Sequence, residues 1–340
     1  MTHEISSQNT PNNALIAFEE LPLNQHPAMV YLAGLTSENS RRNMQRHLNT
    51  IALWLGAPDD VQIQATAGRP KKTDRTFLHV RWQDLRFQHT AMIKTVLIQE
   101  FSAATVNVML SALRGVLRTA WKLGYLSAEE YQRAIDVENV RNETLPAGRD
   151  VRPLEMKSLL DTCNLNNEPT RKDIRDAALM AVLYATGIRR EECAGLLMCE
   201  YEQEAGKITV TRGKGKKQRT VYIANKAKHL LDLWLNVRGE HEREIWHAID
   251  RHGNMDISKG ITSQAIYNML RSRATQAGIS DFSPHDLRRT FVGNALDAGI
   301  DTVTVSKIVG HASPATTARY DRRGERAKEK AAHKIDLPIG

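Results

Sequence analysis

Across 340 residues, 47 Lys and Arg stand against 39 Asp and Glu, a formal net charge of +8, and that balance favours a polyanionic partner. The three cysteines, Cys163, Cys193 and Cys199, have neither CxxC pairing nor His at ligand spacing, so they read as structural thiols of a reducing compartment, with no metal site and no cofactor expected. The opening MTHEISSQNTPNN lacks a basic start and an apolar run, and no segment reaches the apolar length of a membrane span; a cytoplasmic protein without a membrane partner is expected.

The length suffices for two domains with cores of their own. Aromatic residues are only 6% of the chain, so those cores should be mainly Leu, Val, Ile, Ala and Met. Residues 1–24 are polar and rich in Asn, Ser and Thr, the composition of a flexible tail. In TSENSRRNMQRHLNTIALWLG, Thr36 or Ser37 caps a helix whose apolar Met44, Leu48, Ile51 and Leu55 recur at three and four, with Gly56 past its end. Residues 57–76, with GAPDD and AGRPKKTDR, read as a loop whose RPKK cluster either touches phosphates or is simply solvated.

SAATVNVMLSALRGVLRTAWKLGYL is the strongest helix: Val106, Met109, Leu110, Leu113, Leu117, Ala120 and Trp121 form one face and Gly124 the stop. Arg114, Arg118 and Lys122, four apart, stack on one face, which is either a solvated stripe or a contact to DNA backbone. The periodicity gives four or so helices between His26 and Ile135. NVRNETLPAGRDVRPLE, polar with Pro146, Gly148 and Pro153, reads as a linker. Through Gly148 there are 15 basic and 14 acidic residues; from Arg149 onward there are 32 and 25, so the basic excess lies in the second half.

That half carries the chemical signals. DIRDAALMAVLYATGIRREECAGL is a helix stopping at Gly187, with Arg189 opening the next. A helix dipole opposes a cation there, so anion binding explains Arg189 better than a salt bridge. KITVTRGKGKKQRTVYI alternates Ile208 and Val210 with Thr209 and Thr211, turns at Gly213, Lys214 and Gly215, and returns through Val221, a hairpin with a lysine at its tip. It lacks GxxxxGK[ST], so it is no nucleotide-phosphate loop. Lys216, Lys217 and Arg219 suit a basic hairpin lying on DNA backbone. His285 and Arg288, three apart after Ser283 and Pro284, share one helical face. IDTVTVSKIVGHASPATTARYD gives a helix capped near Asp301, a stop at Gly310, and a new start where Ser313 caps and Pro314 takes the first turn. His311 sits at that junction, and Tyr320 follows about two turns on among Arg319, Asp321, Arg322 and Arg323, company that argues against an apolar core.

The ordered set TGIRREE, GKGKKQR, HDLRR, VGH and RY, running from about Val151 to Arg323, resembles the tyrosine recombinase (phage integrase) family. The resemblance implies a mainly α fold with a small antiparallel β-sheet. It also implies a two-domain DNA clamp, in which a helical core-binding domain closes opposite an α+β catalytic domain. The expected boundaries are tail 1–24, core-binding domain 25–140, linker 141–153 and catalytic domain with C-terminal tail 154–340. It further implies that Tyr320 attacks the scissile phosphate of double-stranded DNA, that Arg189, Arg288 and His311 stabilise the transition state, that His285 takes the phenolic proton and that Lys214 protonates the leaving 5'-oxygen. Glu192 stands where the family has an acidic residue, read as an orienter of the arginine, whereas Glu191 replaces a small polar residue. Self-association into a synaptic tetramer on two sites would follow, with the C-terminal segment docking on a neighbouring protomer; accessory proteins are left open. The competing readings are a type IB topoisomerase-like activity and a catalytically silent DNA-binding protein.

Overall fold

The computed structural model describes residues 15–16, 21–64, 71–141, 148–211, 218–240, 243–311 and 313–318. The chain divides into two units, Met1–Thr144 and Leu145–Gly340. Among the described residues no helix is long and apolar enough to cross a membrane.

The first unit begins where Pro27, at the first helical position, starts α1 (Pro27–Ala33), with the His26 ring accepting from the Met29 amide. Ser37 caps α2 (Glu38–Trp54) by accepting from the Ser40 amide. The stretch expected to be a loop is instead partly paired: β1 (Val61–Gln64) runs antiparallel to β2 (Lys71–Asp74), Val61 opposite Asp74. The pairing is pinned from outside, because Gln45 and Asn49 of α2 both donate to the Asp74 carbonyl, at 2.7 and 3.1 Å. Such anchors leave no mark in a polar local sequence.

α3 (Phe87–Glu100), α4 (Ala103–Lys122) and α5 (Ala128–Ile135) complete the unit. Its five described α-helices agree with the four or so expected, α1 being only seven residues, too few to show a period. α4 is the central element, its buried Val106, Met109, Leu110, Leu113, Leu117 and Ala120 forming the expected face, with Ala112 and Val116 buried beside it. Trp121 does not belong to that face: it is 39% exposed and stacks on Tyr131 of α5 at 5.3 Å between centroids. One position beyond Ala120, it has rotated to the edge of the stripe, where a flat ring covers a neighbour better than it fills a core.

In the second unit α6 (Pro153–Asp161) leads to α7 (Arg171–Thr186), whose start is a reciprocal cap between Thr170 and Asp173. α7 is buried continuously from Arg175 to Leu183 and ends at Gly187, whose φ of 60° is the left-handed stop. α8 (Arg190–Ala194) follows, then a three-stranded antiparallel sheet of β3 (Tyr201–Glu202), β4 (Lys207–Val210) and β5 (Arg219–Tyr222), with Ile208 opposite Val221. α9 (Asn225–Arg238) packs on α7. β6 (His247–Ile249) pairs with β7 (Met255–Gly260), and α10 (Ser263–Gln276), α11 (Pro284–Asp297), α12 (Thr302–Val309) and α13 (Pro314–Ala318) close the described chain. A helical protein with small antiparallel sheets agrees with the expected fold class.

The main core of this unit is aliphatic as expected, but Trp234 and Trp246 lie fully buried in it, 6.3 Å apart. Cys163 and Cys193 are buried there too, and burial pushes the Cys163 thiol up to about 11. A smaller core joins Val292, Ala295 and Leu296 of α11 to Val305 and Val309 of α12. α11 therefore belongs to both cores, giving Leu287 to the main one and Val292, Ala295 and Leu296 to the smaller.

Candidate active site

Two helices that stop at left-handed glycines supply the frame. Gly187 ends α7 and Gly310, φ 67°, ends α12. Carbonyls in the last turn of a helix have no partner within it and sit at the negative end of its dipole, so they attract cations. At α12 three consecutive carbonyls each receive a different arginine. Ile308 accepts from Arg219 Nε at 2.9 Å, Val309 from an Arg288 terminal nitrogen at 2.7 Å and Gly310 from an Arg189 terminal nitrogen at 2.7 Å. Arg288 also donates to the Gly187 carbonyl at 2.7 Å, so it spans both helix ends.

Glu192, 4% exposed, is the second hub. It accepts from the Arg189 amide at 2.8 Å and the Arg189 guanidinium at 2.9 Å. It also takes both terminal nitrogens of Arg219, at 3.0 and 2.6 Å. Burial alone would raise its pKa, but the hydrogen bonds from Arg219 and Arg189 outweigh it and hold the carboxyl at about 2. Arg189 is therefore ion-paired as well as available to an anion, whereas the dipole argument alone favoured only the anion. Arg219, expected on a basic hairpin face, instead has a side chain only 9% exposed with its Nε and both terminal nitrogens engaged inside the protein.

α11 opens with Ser283 donating its amide and hydroxyl to Asp286, each at 2.8 Å, while the other Asp286 oxygen accepts the Arg149 amide at 3.0 Å. This start sets His285 at the surface and Arg288, one turn on, in the interior. Arg189, His285 and Arg288 line one cleft of about 340 Å³ with Arg190, Glu191 and Tyr267. The Arg190 guanidinium lies over the Tyr267 ring at 5.7 Å, a second cationic wall that the motifs did not single out.

His311 follows Gly310 and is held by its amide on Ser306 O at 3.0 Å and by its Nδ1 at 2.8 Å from the Thr317 hydroxyl of α13. Desolvation and the charges of Arg288 and Arg189 lower its pKa to about 4. His285 is shifted down as well, by desolvation at the cleft wall and then by Arg288 and Arg289. Both imidazoles are neutral at neutral pH, so the cleft holds cationic forks beside neutral groups able to donate or accept a proton.

Tyr320, Lys214, Lys216 and Lys217 lie outside the described residues. The first unit places Arg114 with its guanidinium on Asn139 Oδ1 at 2.9 Å and on the Val137 carbonyl, and Arg118 with Nε on the Tyr131 hydroxyl at 3.2 Å; Lys122 is exposed. Two of the three stripe residues thus brace α5 and the segment after it. Among the described residues no group of three or more His, Cys, Asp or Glu is arranged to hold a metal.

The phage integrase family matches residues 149–326. Tyrosine recombinase XerC of Treponema denticola is 28% identical over 261 residues, covering 74% of this chain and 82% of that protein. Tyrosine recombinase XerD of Corynebacterium glutamicum is 28% identical over 296 residues, covering 85% and 88%. Among solved structures, a Tn1549 transposon integrase in complex with transposon right end DNA aligns with a TM-score of 0.65 at 13% identity, covering 92% of this chain and 99% of that one. A lambda integrase dimer bound to a core site aligns at 0.59 and 15%, covering 89% and 78%. These relatives favour recombination over a topoisomerase-like or silent role. Because the matched stretch spans more than half of the chain and contains every arginine and histidine of the cleft, the chain belongs to the phage integrase family, the tyrosine-type site-specific DNA recombinases.

Proposed function

We propose that this recombinase cuts and rejoins duplex DNA as follows. The Tyr320 phenolate oxygen attacks the scissile phosphorus, the bond from phosphorus to the 5'-oxygen breaks, and a 3'-phosphotyrosyl link keeps the energy of the broken bond. His285 takes the phenolic proton and Lys214 gives one to the departing 5'-oxygen. Arg189, Arg288 and the neutral His311 donate to the non-bridging oxygens as charge builds on them. Attack by the 5'-hydroxyl of a partner strand reverses each step, so rejoining uses no cofactor. Two sites and two strand exchanges call for a synaptic tetramer, acting in the cytoplasm.

The observation that carries this reading is the meeting of Arg189 and Arg288, 99 positions apart in the sequence, on adjacent carbonyls of α12 beside His311. Two guanidinium groups a residue apart on one helix end suit the two non-bridging oxygens of one phosphate. Tyr320→Phe removes only the phenolic oxygen; it should abolish the covalent protein–DNA adduct on denaturing gels and leave duplex affinity within about twofold, as expected when only a bond-forming atom is lost. An adduct that persists in this variant refutes the assignment.

A further inference from the structure

The last turn of α12 and Glu192 share one residue that the mechanism does not use. Arg219 is the first residue of β5, the strand that pairs antiparallel with β4. Its Nε reaches Ile308 O and its two terminal nitrogens reach the two oxygens of Glu192. It thereby ties three segments together: the sheet, the start of α8 and the end of α12. Its approach is close, for a Cβ on Gly310 would stand 3.0 Å from the Arg219 Cδ. Resting on the reading above, we propose that Arg219 is a positioning residue of strand transfer, which touches no DNA but sets Arg189 and the end of α12 in register for the phosphate.

The physical argument has two parts. The first is charge. Glu192 is a buried carboxylate facing two guanidinium groups. The bidentate fork of Arg219 satisfies it from one side, so Arg189, which gives it a single guanidinium nitrogen at 2.9 Å, keeps positive charge for an incoming phosphate. Without Arg219 the carboxylate would be balanced by Arg189 alone and would draw that side chain towards itself. The second is geometry. Ile308, Val309 and Gly310 are consecutive, and each carbonyl holds one arginine. Fixing the first of the three carbonyls fixes the direction of the next two, and His311 follows directly. Misplacement of such groups by about 1 Å costs about 100-fold in rate.

The test uses the full-length protein and a duplex site selected by it from a random-sequence library. Cleavage is followed as covalent adduct at saturating DNA, and affinity is measured separately by anisotropy. Arg219→Gln should slow adduct formation about 10- to 100-fold at saturating DNA with affinity within about twofold and an unchanged salt dependence of binding. Arg219→Lys, which keeps the charge but not the fork, should recover part of the loss. Combining Arg219→Gln with Glu192→Gln should be faster than Arg219→Gln alone, because the unbalanced carboxylate is gone; a purely structural brace predicts a further loss instead. A cleavage rate equal to wild type, or an affinity loss with a shallower salt slope, overturns the inference. If Arg219→Gln is unfolded by thermal melting, the Arg219→Lys and double-variant rates decide on the same criteria. Absence of adduct with the wild-type protein would instead sink the proposed function and is read first.

Discussion

Burial and guanidinium charge hold His311 neutral in the free protein, and that has a measurable sign. Its folded pKa is about 4 against the ordinary 6.5, so on acidification the unfolded chain takes the proton first. The stability tied to His311 is fully present above about pH 6.5 and is lost as pH falls towards 4. The groups responsible come from every side: Arg288 and His285 of α11, Arg189 before α8 and Arg219 of β5. The melting temperature of the free protein should fall between pH 7.5 and pH 5, and the fall should be smaller in His311→Gln, which has no proton to gain. Identical pH slopes in the two proteins would detach His311 from this linkage. A bound phosphodiester adds the opposite charge, so saturating duplex should flatten the wild-type slope.

Among the elements, α7 and α12 work through their ends. Gly187 takes φ 60°, and a Cβ there would stand 2.5 Å from the Phe291 ring of α11. Gly187→Ala therefore meets two costs, about 1–2 kcal/mol for a left-handed alanine and about 1–3 kcal/mol for overpacking Phe291. Because the Gly187 carbonyl also holds Arg288, the chemistry should suffer along with the fold. Urea titration should show a loss of about 2–5 kcal/mol, the sum of those costs, and adduct formation should slow even at temperatures where the variant is folded. Full activity with unchanged stability would mean that the α7 stop does not position Arg288.

At the scale of the molecule, the basic excess accompanies the unit that carries the cleft, as expected if that unit does most of the holding of the polyanion. The proposed synapse must be held by protein contacts as well. The terminal RRGERAKEKAAHKIDLPIG, outside the described residues, ends with Ile335, Leu337 and Ile339 spaced two apart around Pro338. Burying two or three such side chains on a neighbour contributes on the order of 3–6 kcal/mol before ordering costs. Ending the chain after Lys334 should leave binding to one half-site intact while weakening cooperative filling of the paired site and lowering recombination. Equal cooperativity in gel-shift titrations of the truncated and full-length proteins would show that the tail is not the coupling element.

What the sequence determined by itself was whatever depends on neighbours a few residues away. Ser37 and Asp301 cap their helices, Gly187 and Gly310 stop theirs, α4 buries its stripe, and His285 and Arg288 lie on one helix. These follow from spacing and from backbone sterics, which act locally. Arg219 marks the limit and shows what was still readable: strand parity that points Val221 inward also points the Arg219 side chain inward, two residues before it and opposite buried Val210. The reading of Arg219 as part of an exposed basic face came from its basic neighbours and overlooked that parity. Its partners were beyond any local pattern, since Glu192 is 27 residues away and Ile308 is 89. The antiparallel pairing of β1 and β2 was hidden because its anchors on the Asp74 carbonyl, Gln45 and Asn49, lie 29 and 25 residues away, and the bracing of α5 by Arg118 because Tyr131 lies on another helix. Only the tertiary structure decided which cations face one another and which face inward, because a buried charge is placed by the partners that satisfy it and not by the residues beside it in the chain.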